Sequence, residues 1–383
     1  MAHHSTVLSQ LLQFIPRHEF QSMARRHHQG GKLRSMTRWS QFVALAVAQL
    51  SGRVSLRDVV SNLQAQTHKL YHLACGRVSR SSLARVNAQQ PYSLYEELFS
   101  VLLSRCQAVA PGHGFRFKNK LYSLDASMID LSLSIFPWAT YQKTKGAVKL
   151  HVGLDHSGYL PAFVDLTEGN VHEISWARAL KLAKGSITVF DRGFADYKWC
   201  NQLNTKGICF VTRLKKRAPY KVLERRSVDR RRGLISDQTI QRMGQRAAYY
   251  TAPLRRVGYR DPQTGRHYVF LTNIFHLAAA TIAEIYRKRW EIELFFKWIK
   301  QNLKIKSFLG TTRNAVWTQL WVAMCVHLLL SYLKFASRLK ASLGEILRLL
   351  QLNLFERRSL VPLLRGDPTR RPKAQNPGQL RIV

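Results

Sequence analysis

The order of strand and helix patterns between residues 121 and 310 constrains the fold of this 383-residue chain more than any other feature. Short apolar runs predict strands at 121–124, 147–155, 159–166, 187–190 and 207–212. Helical periodicity predicts helices at 172–184, at 195–205 and around residue 290. Three strands followed by alternating helices and strands predict an α/β domain with a mixed sheet and flanking helices.

Residues 1–90 carry helical patterns only. The first helix stops before Pro16, a second covers 39–50, and Ser55 and Ser79 occupy N-cap positions of two more. Short helices with Arg and Ser at their N-termini are typical of helix-turn-helix-like modules. We therefore predict an all-helical DNA-binding domain at 1–90, followed by a connecting helix and loop at 91–120. A plain helical bundle whose charges face water is the alternative.

The net charge is extreme for a chain whose apolar content is an ordinary 46%. Sixty Lys and Arg against 22 Asp and Glu give +38, and the pI is near 10.7. Such self-repulsion is usually offset by a polyanion, which favours nucleic acid as the partner. An anionic membrane is the alternative, but the sequence has no basic amphipathic helix with one clean apolar face.

Several sequence features bear on the compartment. The five cysteines lack C-x-x-C spacing, which argues against a disulfide framework or structural zinc and favours a reducing environment. The chain opens without a signal-peptide pattern, and the apolar stretch 315–330 is too short and mixed to span a membrane. The sequence contains no P-loop, so ATP use is not implied. We expect a cytoplasmic, nucleoid-associated protein.

One helical face near residue 290 combines an aromatic, two cations and a carboxylate: Tyr286, Arg289, Glu293 and Lys300. Nearby cations keep a carboxylate ionised, as a metal ligand requires. Basic side chains and a phenol can also bind phosphate. This stripe could therefore bring a metal-binding acid and a DNA phosphate together, although most such stripes are solvated faces with weak ion pairs.

The spacing Tyr-x2-Arg-x3-Glu-x6-Lys resembles the YREK signature of bacterial insertion-sequence transposases with a DDE triad, in the insertion-sequence-four-like group. Two upstream acids occur in the family's order: Asp125 at the end of an apolar strand, and Asp191 after the run 187–190. The resemblance covers about residues 115–310, and the first 90 residues are similar to the amino-terminal domain of one branch of the group. It implies an RNase H-like catalytic core.

The resemblance also implies a catalytic, metal-binding triad of Asp125, Asp191 and Glu293. Phosphodiester hydrolysis and strand transfer need an activated oxygen nucleophile and stabilised negative charge, which two Mg²⁺ ions about 4 Å apart supply. Mn²⁺ can substitute. Asp125 is expected to bridge the two ions, and the other three residues of the stripe are expected, by resemblance, to contact the phosphate backbone.

Each acid has an alternative reading. Glu291 lies about 200° around the helix from Glu293, so both cannot serve one site. The family spacing selects Glu293. Asp130 is the rival of Asp125, and Asp155, at the end of the next strand, could also reach the site. Asp191 could instead form a structural ion pair with Arg192.

The segment 214–280 is expected to be a β-rich insertion between two of the acids. From Arg213 to Arg232, ten Lys or Arg stand against two acids, the most basic part of the chain. A solvated loop is the alternative to DNA contact. The residues expected to bind DNA here are Arg213, Lys215, Lys216 and Arg217. Farther on, residues 258–272 predict a β-hairpin around Asp261-Pro-Gln-Thr-Gly.

Some members of this family cut the second strand through a DNA hairpin and trap a flipped base on a Trp in the insertion. This segment has no Trp. The aromatic alternatives are Tyr249, Tyr250, Tyr259 and Tyr268. On the preceding sheet, Lys149 and His151 share one strand face and either approach the DNA or lie on the sheet surface.

The remaining segments are the signature helix at 281–310, a C-terminal helical region at 311–365 and a disordered basic tail at 366–383. The whole pattern predicts a transposase that binds terminal inverted repeats in double-stranded DNA. It would catalyse metal-dependent cleavage and strand transfer by a cut-and-paste route, as a homodimer on paired ends. The alternatives are an RNase H-fold nuclease or recombinase that cuts without joining, and an inactive core that only binds DNA.

Overall fold

A computed structural model describes residues 5–34, 36–215, 217–245 and 247–366. The chain divides into two compact units. One contains the residues up to Leu102, then 302–310 and the chain from Asn314 onward. The other contains 103–301 and 311–313. The tail predicted at 366–383 lies, from residue 367 onward, outside the described residues.

The first unit is helical in its described residues. Its amino-terminal helices are α1 Val7–Leu12, α2 Arg17–Arg26, α3 Arg38–Ser51, α4 Leu56–Ala65, α5 Thr67–Leu70, α6 Arg80–Gln89 and α7 Ser93–Val109, of which α7 continues into the second unit. The predicted N-caps are present, because the Ser55 hydroxyl accepts from the Asp58 N–H at 3.1 Å and the Ser79 hydroxyl from the Ser82 N–H at 3.2 Å. These bonds satisfy backbone donors that a helix start leaves free.

One helix in the described residues is long and apolar enough to cross a membrane. It is α12, Arg313–Ala336, with 24 residues, so the prediction that this stretch is too short was wrong. Of its most apolar window, 94% is buried inside the protein, which is the usual condition of a core helix. Two further helices, α13 Leu343–Asn353 and α14 Leu360–Arg365, complete the unit.

The second unit is built on a ten-stranded mixed sheet. Its strands are β1 Leu121–Leu131, β2 Thr140–Gln142, β3 Lys145–Asp155, β4 Leu160–Glu168, β5 Ile187–Phe190, β6 Cys209–Arg213, β7 Tyr220–Arg226, β8 Leu234–Arg242, β9 Leu254–Arg260 and β10 His267–Thr272. The antiparallel strands β1, β3 and β4 lie side by side, and β5 and β6 add in parallel beyond β1. This order is that of the RNase H-like fold.

Among the described residues, three helices lie wholly in this unit: α8 Glu173–Ala179, α9 Tyr197–Thr205 and α10 Ala279–Lys288. A fourth, α11 Trp290–Asn302, has all but its last residue in this unit. The prediction that α8 runs to residue 184 was wrong, because Leu180 has extended backbone angles. The prediction of one unbroken helix around residue 290 was also wrong. At Arg289 the chain makes a tighter turn, since its N–H bonds to the Tyr286 carbonyl, three residues back.

The segment predicted as an insertion is continuous with the core sheet. β10 pairs with β6, and β9, β8 and β7 follow in antiparallel order. The predicted hairpin joins β9 to β10, and its turn is held by the Asp261 carboxylate, which accepts from the backbone N–H groups of Gln263 and Thr264. The basic segment is therefore fixed to the sheet that carries the acids.

Candidate active site

Asp125 lies within β1 rather than at the end of a strand, which corrects the sequence prediction. β1 pairs in parallel with β5 from Leu121 to Leu124, and there that pairing stops. Its antiparallel pairing with β3 continues as far as Leu131, which is why the strand runs on. Asp125 therefore occupies the point where one neighbour of β1 ends and the other remains.

Asp191 directly follows β5 and is the next position in register with Asp125. The last observed pair of this ladder is Leu124 with Phe190. Side chains alternate between the two faces of a sheet, so both acids belong to the face that carries Leu121 and Ile187. That face packs against α10. Strand alternation and register thus bring the first two predicted acids together.

Glu293, in the first turn of α11, is joined to Asp125 through Arg289. The Arg289 guanidinium donates to the Glu293 carboxylate from Nη2, and its Nη1 lies 3.5 Å from Asp125 Oδ2. The arginine side chain is only 14% exposed. One buried cation therefore lies among acids from two strands and a helix, and the sequence predicted all three acids.

Tyr286 fixes the remaining acid. Its hydroxyl donates to Asp191 Oδ1 at 3.1 Å, and its ring packs on Phe270 with centroids 4.8 Å apart. Burial raises the pKa of the Tyr286 phenol to about 12, and the negative charge of Asp191 acts in the same direction. The phenol therefore stays protonated and orients an acid, a contact that the sequence prediction of phosphate binding missed.

The two aspartates have opposite pKa shifts. Burial raises the pKa of Asp125 to about 6, although the Ala126 N–H and the Arg289 charge oppose the rise. Burial also acts to raise the pKa of Asp191, but the Arg192 N–H, the Arg289 charge and the Tyr286 hydroxyl outweigh it and lower the pKa below its ordinary value. Asp125 is thus the acid that most needs a cation to stay ionised.

Carboxylates of this kind suit a hard divalent cation, which prefers oxygen ligands. Within the residues that the structure describes, no three His, Cys, Asp or Glu side chains are already gathered closely enough to hold a metal. The reason is visible in the site, because the Arg289 guanidinium occupies the space that Asp125 and Glu293 face. The donor set fits a metal, provided that this side chain swings away.

Lys300 and Arg213, which we also predicted to bind DNA, contact groups other than the three acids. Lys300 donates to the Met128 carbonyl at 2.9 Å, farther along β1. Arg213 ends β6 and lies over the Tyr268 ring at 5.3 Å. Its charge helps to lower the pKa of Asp191, so it belongs to the margin of the site.

The basic loop after β6 is exposed where it is described. Lys215 and Arg217 are both exposed, and Arg217 has a positive φ of 58°. Lys216, which we also predicted to bind DNA, lies outside the described residues. The DNA contacts of this loop therefore stay predictions.

The rival acids lie elsewhere. Asp130 and Asp155 lie on the opposite face of the sheet from Asp125, since Asp130 is five residues along β1 and Asp155 pairs with Tyr122. Asp155 is fully buried and forms an ion pair with Lys120 at 2.8 Å. Glu291 pairs with Lys288 at 3.2 Å. None of these contacts involves the cluster around Arg289.

The alternative that Lys149 and His151 approach DNA was wrong. Lys149 is 6% exposed and forms an ion pair with Glu173 at 2.8 Å. His151 is fully buried, stacks on Trp176, and its pKa is lowered to about 4 by burial. Both side chains therefore hold α8 against the sheet.

Among the insertion aromatics, Tyr250 is fully buried in the core and cannot stack on a base. Tyr249 is 43% exposed, with the Lys198 ammonium 4.5 Å above its ring. Tyr259 and Tyr268 are half-buried beside Phe270. Whether any of them contacts a base stays a prediction.

Comparison with known proteins identifies the family to which this chain belongs. The family model described as "Transposase DDE domain" matches residues 116–329, which include all three acids. The chain belongs to the DDE transposase family. A second model, described as a domain of unknown function (DUF4372), matches residues 3–75.

Two relatives are named as transposases, and the name of the second assigns it to an insertion sequence. The transposase y4zB of Sinorhizobium fredii is 32% identical over 302 residues, which cover 76% of this chain and 83% of the relative. The transposase for insertion sequence element IS5377 of Geobacillus stearothermophilus is 31% identical over 261 residues, covering 67% and 68%. The likeness to a solved synaptic complex of the piggyBac transposase with hairpin DNA is weak, with a TM-score of 0.45 at 9% identity over 96% and 80% of the two chains.

This DDE transposase is accordingly an enzyme of DNA cleavage and strand transfer, and its family depends on divalent metal. The predicted family, fold class and enzyme class are confirmed. The roles of individual residues rest on the site geometry alone.

Proposed function

We propose that Asp125, Asp191 and Glu293 are the catalytic acids of this transposase and bind two Mg²⁺ ions, which Mn²⁺ can replace. One observation carries the proposal: Asp125 on β1 and Glu293 on α11 both contact the Arg289 guanidinium, and Asp191, directly after β5, lies within its electrostatic range. Three carboxylates against one arginine leave an excess of negative charge. A site of this composition favours additional cations.

Bound divalent metal would supply an activated oxygen nucleophile and stabilise the charge of the phosphodiester transition state. The protein's own part is to position the ligands. Tyr286 holds Asp191 through its hydroxyl, and the pairing of β1 with β3 holds Asp125. Asp125, which contacts Arg289 and is influenced by both other acids, is suited to bridge the metals.

Arg289 would then exchange partners. Its guanidinium, released from Asp125 and Glu293, would lie close to an incoming phosphate, which matches its fork of donors. Lys300, together with the exposed Lys215 and Arg217, would bind the DNA backbone nearby. The undescribed Lys216 belongs to the same basic run.

The substrate that we propose is double-stranded DNA carrying the terminal inverted repeats of the element, with a second DNA as target. Cut-and-paste transposition requires two ends to be held together, so the active form would be a homodimer on paired ends. The charge of +38 makes binding strongly dependent on salt. We propose a cytoplasmic, nucleoid-associated location, without membrane or ATP.

Glu293→Gln tests the assignment, with Glu291→Gln as a matched control two residues away on α11. We expect wild-type protein and Glu291→Gln to cut and join a duplex of the element's end with Mg²⁺ and not with EDTA. Glu293→Gln should lose at least about a hundredfold in cleavage rate, because a metal ligand is removed. Equal activity of both variants would eliminate Glu293 as a catalytic acid. Cutting without joined products would favour a nuclease.

A further inference from the structure

A basic groove lies in the helical unit, well separated in sequence from the acids. It is lined by the loop 29–34 on one side and by α6 on the other, and its cavity measures about 740 Å³. We call it the α6 groove. No Asp or Glu is among its lining residues in the described part of the chain, whereas three of them are basic: Lys32, Arg34 and Arg85.

The helix that forms one wall has two distinct faces. Its buried face consists of Leu83, Val86 and Asn87. Its opposite face carries Ser81, Arg85 and Gln89, each four residues from the next and each exposed. The core therefore fixes α6 in a rotation that presents one arginine and one glutamine outward.

The loop that forms the other wall is anchored by a buried amide. Gln90 is 4% exposed, and its Nε2 donates to the Gln29 carbonyl at 2.6 Å. Its Oε1 accepts from the Gln29 N–H and from Arg38 Nη1, both at 3.4 Å. The loop is thus held at a set distance from α6, which makes the groove a built feature of this unit.

The cations of the groove differ from others nearby. In the described residues, Lys32, Arg34 and Arg85 are exposed and form neither an ion pair nor a side-chain hydrogen bond. By contrast, Arg26 pairs with Glu97, and Arg38 donates to the Pro91 carbonyl at 2.6 Å. The positive charge of the groove is therefore available to an outside anion.

We propose that the α6 groove binds double-stranded DNA at the element's end, with α6 in the major groove. This inference rests on the proposed function. Arg85 and Gln89 would face base edges, where Arg recognises guanine and Gln recognises adenine. Lys32 and Arg34 would contact phosphates on the flanking strand. An α-helix with its side chains is about 10–12 Å across, which suits a major groove about 12 Å wide.

Helix α4 is the competing candidate on topology alone. The four residues 52–55 connect α3 to α4, which is the turn length of a helix-turn-helix. The first of them, Gly52, has a left-handed backbone conformation with a φ of 70°. However, the exposed Arg57 on α4 is followed by the exposed Asp58, an acid that would face the phosphates. The connection from α4 to α6 is much longer, so the proposed surface is not a standard helix-turn-helix.

Fluorescence anisotropy with the full-length protein in EDTA tests the proposal on two duplexes, one from the element's end and one of shuffled sequence. Arg85→Ala should weaken binding to the end duplex by tenfold or more and leave the shuffled duplex almost unchanged. Lys32→Ala and Arg34→Ala should weaken both duplexes alike, and each should lower the salt slope by about 1. Arg57→Ala, the matched control, should resemble wild type.

Two results would overturn the proposal: binding of all three variants at the wild-type level, or a larger loss for Arg57→Ala than for Arg85→Ala. Thermal unfolding checks that the exposed substitutions leave the fold intact. The catalytic proposal fails separately. Loss of end binding in the groove variants, with a wild type that never cuts, would leave the groove assigned and refute the transposase chemistry at the three acids.

Discussion

Two arginine–carboxylate clusters in the catalytic unit look alike and differ in their charge balance. Arg255 and Asp237 are 4% and 5% exposed and meet in a two-pronged pair with bonds of 2.8 and 2.7 Å. Arg255 also donates to the Leu277 carbonyl at 2.6 Å. Arg226, which pairs with Glu224, also lies 3.4 Å from Asp237, so two arginines face two acids and the charges balance. The Arg255–Asp237 pair ties β8 and β9 to the chain before α10.

The Arg289 cluster is matched in neither charge nor hydrogen bonds. One guanidinium faces two carboxylates that are 26% and 32% exposed, and a third acid lies within electrostatic range. In the described structure, its buried Nε finds no acceptor. From this contrast we infer that an arginine among acids has a structural role where the charges balance. An arginine that is outnumbered by acids within reach of water indicates a functional site.

Removing one carboxylate from each cluster gives the largest expected contrast. Asp237→Ala leaves Arg255 buried without its counter-ion, which should cost about 3–5 kcal/mol of unfolding free energy. Glu293→Ala should cost far less, because Arg289 keeps Asp125 as a counter-ion and this pair, at 14% and 26% exposed, is less buried than Arg255 and Asp237. Urea unfolding in EDTA measures both. Equal losses would mean that the Arg289 cluster is also a structural ion pair.

Acidity should distinguish the clusters next. The pKa of Asp125 is raised from 3.8 to about 6, so the folded protein holds a proton that the unfolded chain releases. Stability from this group is present below about pH 4 and is lost as pH rises to about 6, by at most about 3 kcal/mol.

Unfolding in EDTA at pH 4.5 and pH 7 should show this loss in the wild type and not in Asp125→Asn. Asp130→Asn, exposed on the same strand, is the control and should keep the wild-type slope. An unchanged slope in Asp125→Asn would refute the raised pKa.

Arg289→Met tests whether the guanidinium occupies the metal site. If the guanidinium competes with metal for Asp125 and Glu293, its removal should tighten Mn²⁺ binding by about a factor of ten, equivalent to about 1.4 kcal/mol. Titration calorimetry in the absence of DNA measures this. Lys300→Met, which loses a cation of α11 that donates to the Met128 carbonyl, should bind as the wild type does. Weaker binding by Arg289→Met would show that the arginine organises the ligands instead.

The smallest effect is expected from Tyr286→Phe. The ring keeps its contact with Phe270, while the hydrogen bond to Asp191 is lost. Cleavage should fall about three- to tenfold, because Asp191 loses one hydrogen bond but keeps the Arg192 N–H and the Arg289 charge. Tyr268→Phe, on the neighbouring ring, should leave the rate unchanged. A normal rate in Tyr286→Phe would mean that Asp191 is held by the backbone alone.

The sequence predicted best where the cause is local. The caps at Ser55 and Ser79 and the turn at Asp261 depend on side chains that bond within three residues of their own positions. Helix periodicity also separates Glu293 from Glu291, and the two form different ion pairs, with Arg289 and with Lys288. The catalytic role of Glu293 stays a prediction.

The sequence predicted less well where distant pairing decides. β1 continues past Asp125 because β3 lies beside it, and no local pattern encodes that partner. The contact of Arg289 with Asp125 joins residues 164 positions apart. The spacing of four between Arg289 and Glu293 predicts a cation beside that carboxylate, but it does not reveal that the same guanidinium also reaches Asp125. The sequence left Lys149 open between DNA contact and the sheet surface, because its counter-ion Glu173 lies on α8, beyond the next strand.

The pairing of β6 with β10 has a consequence for trimming this enzyme. The chain between them, with its basic loop and hairpins, separates two parts of the core in sequence, yet its strands extend the same sheet beyond β6. Deleting β7 to β10 as a cassette would uncover the open hydrogen-bonding groups of Cys209–Arg213, a short apolar edge beside the acids. Such an edge recruits strands from other molecules. A shortened catalytic fragment would therefore aggregate, and the smallest soluble version must retain this side of the sheet.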